Sequence, residues 1–148
     1  MKVLIINGPN LNFLGIRQPE VYGKQTYKDL VEYIEKSAKE LNINIECFQS
    51  NHEGAIIDKI QEAYNIFDGI IINAGAYTHY SIAIMDALKS VNIPTVEVHL
   101  SDIYQREEYR HVSYIKEASF LSIVGLGFEG YKKALEALLN KEEKIWLP

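Results

Sequence analysis

The chain has 148 residues, 47% hydrophobic and 24% charged, which is typical of one globular domain spanning residues 1–148. Lysine and arginine number 15 against 20 aspartates and glutamates, and this net charge of −5 without a basic cluster argues against nucleic-acid binding. No window approaches the roughly 18 apolar residues of a membrane span, and the single cysteine, Cys47, excludes an internal disulfide and suits a reducing cytoplasm.

Five short apolar runs, separated by helical patterns, predict the strands of a parallel sheet. Most are rich in β-branched residues and nearly continuous, as is typical of strands that are buried on both faces. Strand–helix alternation favours an α/β fold with helices on both faces, and five strands favour the flavodoxin-like three-layer fold with strand order 2-1-3-4-5. The predicted strands are KVLII (2–6), INIECF (43–48), GIII (69–72), PTVEV (94–98) and FLSIV (120–124).

Four helices are predicted from apolar residues at helical spacing. Thr26 and Asp29 resemble a capping box at the start of the first helix, and Ser50 and Glu53 have the same spacing before the second. The apolar positions are Tyr27, Leu30, Val31, Ile34, Ala38 and Leu41; Ile56, Ile57, Ile60, Tyr64 and Phe67; Ile82, Met85 and Leu88; and Tyr131, Ala134, Leu135 and Leu138.

Unusual polar residues follow the first, third and fourth strands. Ligands of this fold bind beyond the carboxyl ends of the strands, near the point between strands 1 and 3 where the strand order reverses. The segments 7–23, 73–81 and 99–113 are therefore expected to line one cleft. Their candidate site residues are Asn10, Asn12, Arg17, Tyr22, Asn73, His79, His99, Ser101, Arg106 and Arg110.

These side chains suit proton transfer on a small anionic molecule that carries hydroxyl groups. Arginines bind a carboxylate, asparagines bind hydroxyls or a water, and histidine exchanges protons near neutral pH. A tyrosine becomes a base only if its pKa of about 10 falls, and a cation within about 4–6 Å lowers it. Arg17 and Tyr22, between Gly15 and Gly23, therefore predict a flap that closes over the substrate and brings a cation to the phenol.

Several other kinds of site fit the sequence less well. GLGFEG (125–130) matches G-x-G-x-x-G, but it lacks the following strand and acidic residue of a dinucleotide site, so we expect a tight turn and close helix–sheet packing. The histidines lack the H-E-x-x-H spacing of a zinc site. The loop after strand 1 has neither the acidic residues of a phospho-receiver domain nor the Ser/Thr-rich phosphate loop of a flavin site. A non-catalytic module that binds a small anion stays open.

Five segments, spread nearly from one end of the chain to the other, resemble type II 3-dehydroquinate dehydratases. They are INGPNLNFLGIRQPEVYG, QSNHEGAIIDKI, INAGAYTHYSIAIMDAL, VEVHLSDIYQREEYRHVSY and GLGFEGYKKAL. The resemblance implies a flavodoxin-like fold, no cofactor, and a cytoplasmic homo-oligomer of trimers assembled into a dodecamer. It also implies the anti elimination of water from the small-molecule substrate 3-dehydroquinate, giving 3-dehydroshikimate through an enol or enolate.

The resemblance further implies a role for each candidate residue. Tyr22 removes the C2 proton, Arg17 helps to deprotonate Tyr22, and His99 is the general acid for the departing hydroxyl. By the same resemblance, Asn10 and Asn73 hold the enolate oxygen or an ordered water, and Glu97 tunes His99. Leu100 and Ser101 bind the substrate carboxylate, and His79 and Arg110 contact ring hydroxyls. Arg106 is a second lid arginine, and Asp86 reaches into a neighbouring subunit's site.

The chain departs from the family's pattern at three positions. Gln18 follows the lid arginine where the family has Glu, Asp102 follows HLS where it has Asn, and Met85 precedes Asp86 where it has Arg. We expect Asp102 to bring negative charge near the carboxylate pocket, and Met85 to affect the polar contacts between subunits around Asp86.

Overall fold

Helices flank both faces of a five-stranded parallel sheet in this computed structural model, which describes residues 1–16 and 18–145 except the side chains of residues 21, 22 and 142–145. The sheet order is β2-β1-β3-β4-β5, so the predicted order and the flavodoxin-like fold class are confirmed. Each strand boundary lies within one residue of its prediction. The strands are β1 (Lys2–Asn7), β2 (Asn44–Gln49), β3 (Gly69–Asn73), β4 (Thr95–His99) and β5 (Leu121–Val124).

The three central strands are buried on both faces, as their continuous apolar sequences predict. Every residue of β3 and β4 is buried, and so is every residue of β1 after Lys2. The prediction was wrong for β2 and β5, which are only partly buried because they form the two edges of the sheet. Glu97 stands out in β4, because its carboxylate is completely buried in the middle of the protein.

Helices α2 and α5 pack against one face of the sheet, and α3 and α4 pack against the other. Alternate residues of β1 divide between the two cores: Val3 and Ile5 face the first, and Leu4 and Ile6 face the second. Over the described residues, no helix has the length and apolar composition needed to cross a membrane. The helices are α1 (Pro19–Tyr22), α2 (Tyr27–Glu40), α3 (Glu53–Glu62), α4 (Ile82–Val91) and α5 (Glu129–Ile145).

One of the two predicted helix caps forms. The Thr26 hydroxyl accepts the Asp29 N–H at 3.1 Å, and the Asp29 carboxylate accepts the Thr26 N–H at 2.9 Å, which completes the predicted capping box of α2. The prediction for α3 was wrong, because that helix begins at Glu53 itself with His52 as its N-cap residue. The Ser50 hydroxyl instead accepts the His52 N–H at 3.0 Å and closes a turn before the helix.

Two of the predicted helix faces are wrong in part. Helix α3 ends at Glu62, so Tyr64 and Phe67 lie in the turns that follow it, and Ile82 at the start of α4 is 50% exposed. Phe67 still packs against the core from these turns, whereas Tyr64 is 59% exposed. The predicted face of α5 is confirmed, since all four of its residues are buried: Tyr131, Ala134, Leu135 and Leu138.

The glycines of segment 125–130 make the predicted tight turn between β5 and α5. Gly125 and Gly127 have φ angles of 80° and 57°, in the left-handed region that favours glycine. A Cβ atom on Gly130 would lie 3.2 Å from Cγ1 of Val98, so its absence allows close packing of α5 on β4. The predicted role of this segment is confirmed.

Candidate active site

A cavity opens at the carboxyl ends of β1, β3 and β4, next to the point where the strand order reverses. It is a cleft whose space, counted together with the solvent at its open mouth, measures about 570 Å³. All three loop segments that the sequence predicts to share a cleft contribute to it. The lining residues are Pro9, Asn10, Leu11 and Leu14; Asn73, Gly75, Ala76 and His79; and His99, Leu100, Ser101, Ile103, Arg106 and Arg110.

Most of the predicted site residues meet in this cavity, and Glu97 lies behind His99 as its hydrogen-bond partner. Asp86 is exposed on α4 and does not line the cavity of its own chain. Arg17 and the side chain of Tyr22 lie outside the described residues, so their pairing stays a prediction. The predicted residues that line the cavity are Asn10, Asn73, His79, His99, Leu100, Ser101, Arg106 and Arg110.

The sequence analysis missed the small and apolar part of the lining, because it searched the loops for polar chemistry. A Cβ atom on Gly75 would lie 2.9 Å from the carbonyl oxygen of Pro9, so only glycine allows the segments after β1 and β3 to approach this closely. Glycine and proline next to polar loop residues were the available signal. The missed residues are Pro9, Leu11, Leu14, Gly75, Ala76 and Ile103.

His99 and Glu97 form a buried pair at the end of β4. Nε2 of His99 lies 2.9 Å from Oε2 of Glu97, and the Ser122 hydroxyl donates to Oε1 at 2.5 Å. The Ser113 hydroxyl also donates to Oε2. Burial acts to raise the pKa of Glu97, but the hydrogen bonds and the charge of His99 outweigh it and hold that pKa below its ordinary value. The carboxylate is therefore ionised at neutral pH. It accepts a hydrogen bond from the protonated Nε2 of His99, which leaves Nδ1 of that ring available for proton exchange.

His79 lies beside His99, with the two ring centroids 6.5 Å apart and the planes stacked. Nδ1 of His79 lies 2.8 Å from the carbonyl oxygen of Val112. Burial lowers the pKa of His79, and the nearby positive charges of His99 and Arg110 act in the same direction. The ring is therefore neutral at neutral pH, so Nδ1 donates to Val112 and Nε2 is left to accept a hydrogen bond.

Arg106 and Arg110 give the cavity a positive wall, although the whole chain is acidic. Nε of Arg110 donates to Oε2 of Glu107 at 2.9 Å, and Nε of Arg106 lies 3.9 Å from the same oxygen. The two arginine side chains are only 13% and 17% exposed. Among the described residues no aspartate or glutamate lines the cavity, so the local field suits an anion.

Asn73 is held at the end of β3 by two hydrogen bonds. Its Nδ2 donates to the Tyr131 hydroxyl at 3.2 Å, and its Oδ1 accepts the Gly75 N–H at 3.1 Å. The completely buried Tyr131 in turn donates to Oδ1 of Asn7 at 2.5 Å. These contacts fix the orientation of the Asn73 amide and leave its second Nδ2 proton free of this network.

Asn10 is placed by the segment after β2. Its backbone N–H donates to Oδ1 of Asn51 at 3.0 Å, and Nε2 of Gln49 donates to the same oxygen at 3.2 Å. The Tyr77 hydroxyl donates to the Asn51 carbonyl at 2.8 Å. Asn10 itself has a φ angle of 71°, a left-handed conformation that asparagine tolerates. The loop after β1 is therefore tied to the ends of β2 and β3, which the sequence analysis did not foresee.

Asp102, one of the three departures, serves as a local cap. Its Oδ1 accepts the Tyr104 N–H at 3.0 Å at the start of the short 3-10 helix Ile103–Gln105. Asp102 is not among the lining residues. An asparagine oxygen would accept the same hydrogen bond, so the substitution preserves the local backbone.

Comparison with known proteins identifies close relatives. The family model described as dehydroquinase class II matches residues 1–139. The 3-dehydroquinate dehydratase of Clostridium acetobutylicum is 56% identical over 144 residues, which cover 97% of this chain and all of that protein. The type II dehydroquinases of Butyrivibrio crossotus and Propionibacterium acnes, both solved structures, are 57% and 39% identical, with TM-scores of 0.92 and 0.90. The alignments cover 94% of this chain in both cases, and 97% and 96% of the respective structures.

Proposed function

The chain belongs to the class II dehydroquinase family, and from this premise we propose that it eliminates water from 3-dehydroquinate to give 3-dehydroshikimate, a reaction of the shikimate pathway. The observation that carries the proposal is the buried His99–Glu97 pair, which opens into a cavity with two arginines. That combination offers a proton donor beside a site for an anion. The substrate is an anion that must lose a hydroxyl group.

We assign the binding groups by matching the substrate's chemistry to the cavity wall. The substrate carries a carboxylate, a ketone and hydroxyl groups. The segment of Leu100 and Ser101 takes the carboxylate, and Arg106 adds positive charge to this side of the cavity. His79 and Arg110 contact the ring hydroxyls, since the neutral His79 ring accepts and the guanidinium donates.

The reaction divides into two proton transfers. We assign the first to Tyr22, which removes the C2 proton while the electron pair of the C–H bond moves toward the ketone and forms an enolate. Arg17 favours the phenolate form of Tyr22 by its charge. Asn10 and Asn73 hold the enolate oxygen, directly or through a water. The hydrogen bonds described above fix the side-chain amide of Asn73 and the backbone of Asn10.

The second transfer expels the hydroxyl group. The electron pair of the enolate re-forms the ketone, the new carbon–carbon double bond forms, and the C–O bond breaks. The departing oxygen takes its proton from Nδ1 of His99. Glu97, ionised and hydrogen-bonded to Nε2, stabilises the imidazolium before this step.

The product supplies a direct test, because its conjugated enone absorbs in the ultraviolet. Purified protein with 3-dehydroquinate, and with no added metal or nucleotide, should generate this absorbance. Tyr22→Phe should lose most of kcat and keep most of its substrate affinity, because only the base is removed. Absence of turnover would reject the proposal, and ligand-induced stabilisation without turnover would indicate the anion-binding module instead.

We further propose trimers assembled into a cytoplasmic dodecamer, with Asp86 contributing to the cavity of a neighbouring subunit. The exposed position of Asp86 on α4, outside its own cavity, supports this assignment. Light scattering should give the mass of twelve chains. A fully active monomer would contradict the proposal.

A further inference from the structure

We infer that Ser113 and Ser122 are positioning residues, which act on His99 through Glu97. The inference rests on the proposed function for its effect on turnover. Neither serine lines the cavity, so neither touches the substrate. Their hydroxyl groups instead meet at the buried carboxylate that holds the proton donor.

Both oxygens of the buried Glu97 carboxylate accept hydrogen bonds. Oε2 accepts hydrogen bonds from Nε2 of His99 and from the Ser113 hydroxyl, and Oε1 accepts from Ser122 at 2.5 Å. A completely buried carboxylate stays ionised only where such donors replace water. The serines therefore supply two of the three hydrogen bonds that keep Glu97 in its anionic form.

The hydrogen bonds of the Ser113 hydroxyl run in a fixed direction. The Ser113 hydroxyl oxygen accepts the backbone N–H of Lys116 at 3.0 Å, so its own proton is left for Glu97. Ser122 lies directly beside Glu97 in the register of β4 and β5. The carboxylate is thus fixed from two chain segments, and its orientation determines which His99 nitrogen carries the proton.

The sequence of β5 has a single hydroxyl group among apolar residues. Ser122 is the one polar residue among Leu121, Ile123 and Val124, in a strand that is partly buried. A hydroxyl group at that position is useful only if a partner accepts it, and Glu97 is the partner. An apolar residue there would fill the space and would leave Oε1 of the carboxylate without a donor.

Other charged groups do not replace these serines. On the cavity side, His99 faces His79 from the 3-10 helix Gly75–His79, and Arg106 and Arg110 line the same wall. The two arginines keep their charge at all relevant pH values. Of the carboxylate and imidazole groups described on this side of the cavity, only Glu97 contacts the two serines.

Ser122→Ala and Ser113→Ala should each lower kcat by roughly tenfold and leave KM nearly unchanged, because one hydrogen bond to a charged group is lost and no substrate contact is. The rate relative to the native enzyme should fall further as the pH is lowered, since Glu97 with fewer donors binds a proton more readily. Ser119→Ala is the matched control: its hydroxyl donates to the Ile115 carbonyl at 2.8 Å in the same segment. That variant should keep the native profile.

A readout that does not need turnover separates this inference from the proposed function. The ring nitrogen chemical shifts of His99, measured by NMR, report which nitrogen carries the proton. We expect Nε2 of His99 to carry a proton in the native protein, a smaller share of rings protonated at Nε2 in Ser122→Ala, and recovery of that share in Ser122→Thr, which keeps a hydroxyl. If this NMR result is obtained but the protein shows no turnover, the proposed function is rejected and the inference about the serines stands.

A double-mutant cycle completes the test. In the Glu97→Gln background, Ser122→Ala should change kcat much less than it does in the native enzyme, because the two residues act through one hydrogen bond. Equal effects in both backgrounds, or serine variants with a native pH profile and a native His99 tautomer, would overturn the inference.

Discussion

The cavity has two walls of different construction. The strand wall, residues 97–101, continues from a central strand in which every residue is buried. The loop wall is the segment of residues 9–16 and 18–23, of which Pro9, Asn10, Leu11 and Leu14 line the cavity. It has positive φ angles at Asn10, Gly15, Gln18 and Gly23. The proposed acid therefore lies on the hydrophobic core, and the proposed base is assigned to an irregular segment. Changes in the strand wall should therefore affect both activity and the stability of the fold, whereas changes in the loop wall should affect stability much less.

The largest effect expected is that of His99→Ala in the strand wall. Loss of the proposed general acid should lower kcat by about 10² to 10⁴. The same change leaves the buried Glu97 carboxylate without one of its hydrogen-bond partners, so the melting temperature should fall as well. Steady-state kinetics and thermal unfolding of one preparation check both. Unchanged stability would weaken the comparison between the walls.

Two glycine variants sharpen the comparison. In Gly8→Ala, just after β1, the new Cβ atom would lie 2.6 Å from the Ala74 carbonyl oxygen. We therefore expect a loss of roughly 1–3 kcal/mol in unfolding free energy.

In Gly15→Ala, the Cβ atom would lie 2.8 Å from the Lys24 carbonyl oxygen at a φ of +85°. That strain can be relieved locally, so kcat/KM should fall about tenfold with less than about 1 kcal/mol lost.

The control for both is Gly54→Ala in α3, where a Cβ atom would meet nothing within 4 Å. Alanine at a helical position of this kind adds roughly 0.5–1 kcal/mol of stability. Chemical denaturation and the absorbance assay should show a slightly stabilised protein with native activity. A Gly15→Ala variant that unfolds as easily as Gly8→Ala would contradict the distinction between the loop wall and the closely packed end of β1, where Gly8 meets Ala74.

The unfolding free energy should vary with pH because of Glu97 in the strand wall. Because the pKa of Glu97 is held below its ordinary value, its ionised form stabilises the fold above the unfolded-state pKa, about 4.3. That contribution is lost as the pH falls through the lower, folded-state pKa. Denaturation of the native protein and Glu97→Gln from pH 7 to pH 3 should therefore show a difference in unfolding free energy that shrinks below about pH 4. A constant difference would contradict this.

The smallest effect is expected at Cys47 on β2, outside both walls. Burial raises the pKa of this thiol to about 12, so little thiolate exists at neutral pH. Alkylation by iodoacetamide should be slow, and Cys47→Ser should keep native kcat and KM. Rapid alkylation accompanied by loss of activity would show that β2 communicates with the cavity.

The sequence predicts the fold well because strand–helix alternation limits the possible topologies. The partial exposure of β2 and β5 does not show in their composition, but it follows from the predicted strand order, which gives each of them one neighbouring strand instead of two. In the same way, polar residues at strand ends predicted the cavity. The hydrogen bond from Ser122 to Glu97 could not be predicted, because it follows from the register of two strands that are not adjacent in sequence.

The network of Tyr131 and Asn7 has a consequence for biosynthesis on the ribosome. The hydroxyl of Tyr131 reaches an amide that lies 124 positions earlier in the chain, and the same hydroxyl holds Asn73. Nearly all of the polypeptide must therefore emerge before the Asn73 amide has both of its partners, since the Gly75 N–H is made early and the Tyr131 hydroxyl late. A nascent chain that ends before α5 contains every described lining residue of the cavity but lacks this second partner, so full activity should arise only near the end of translation.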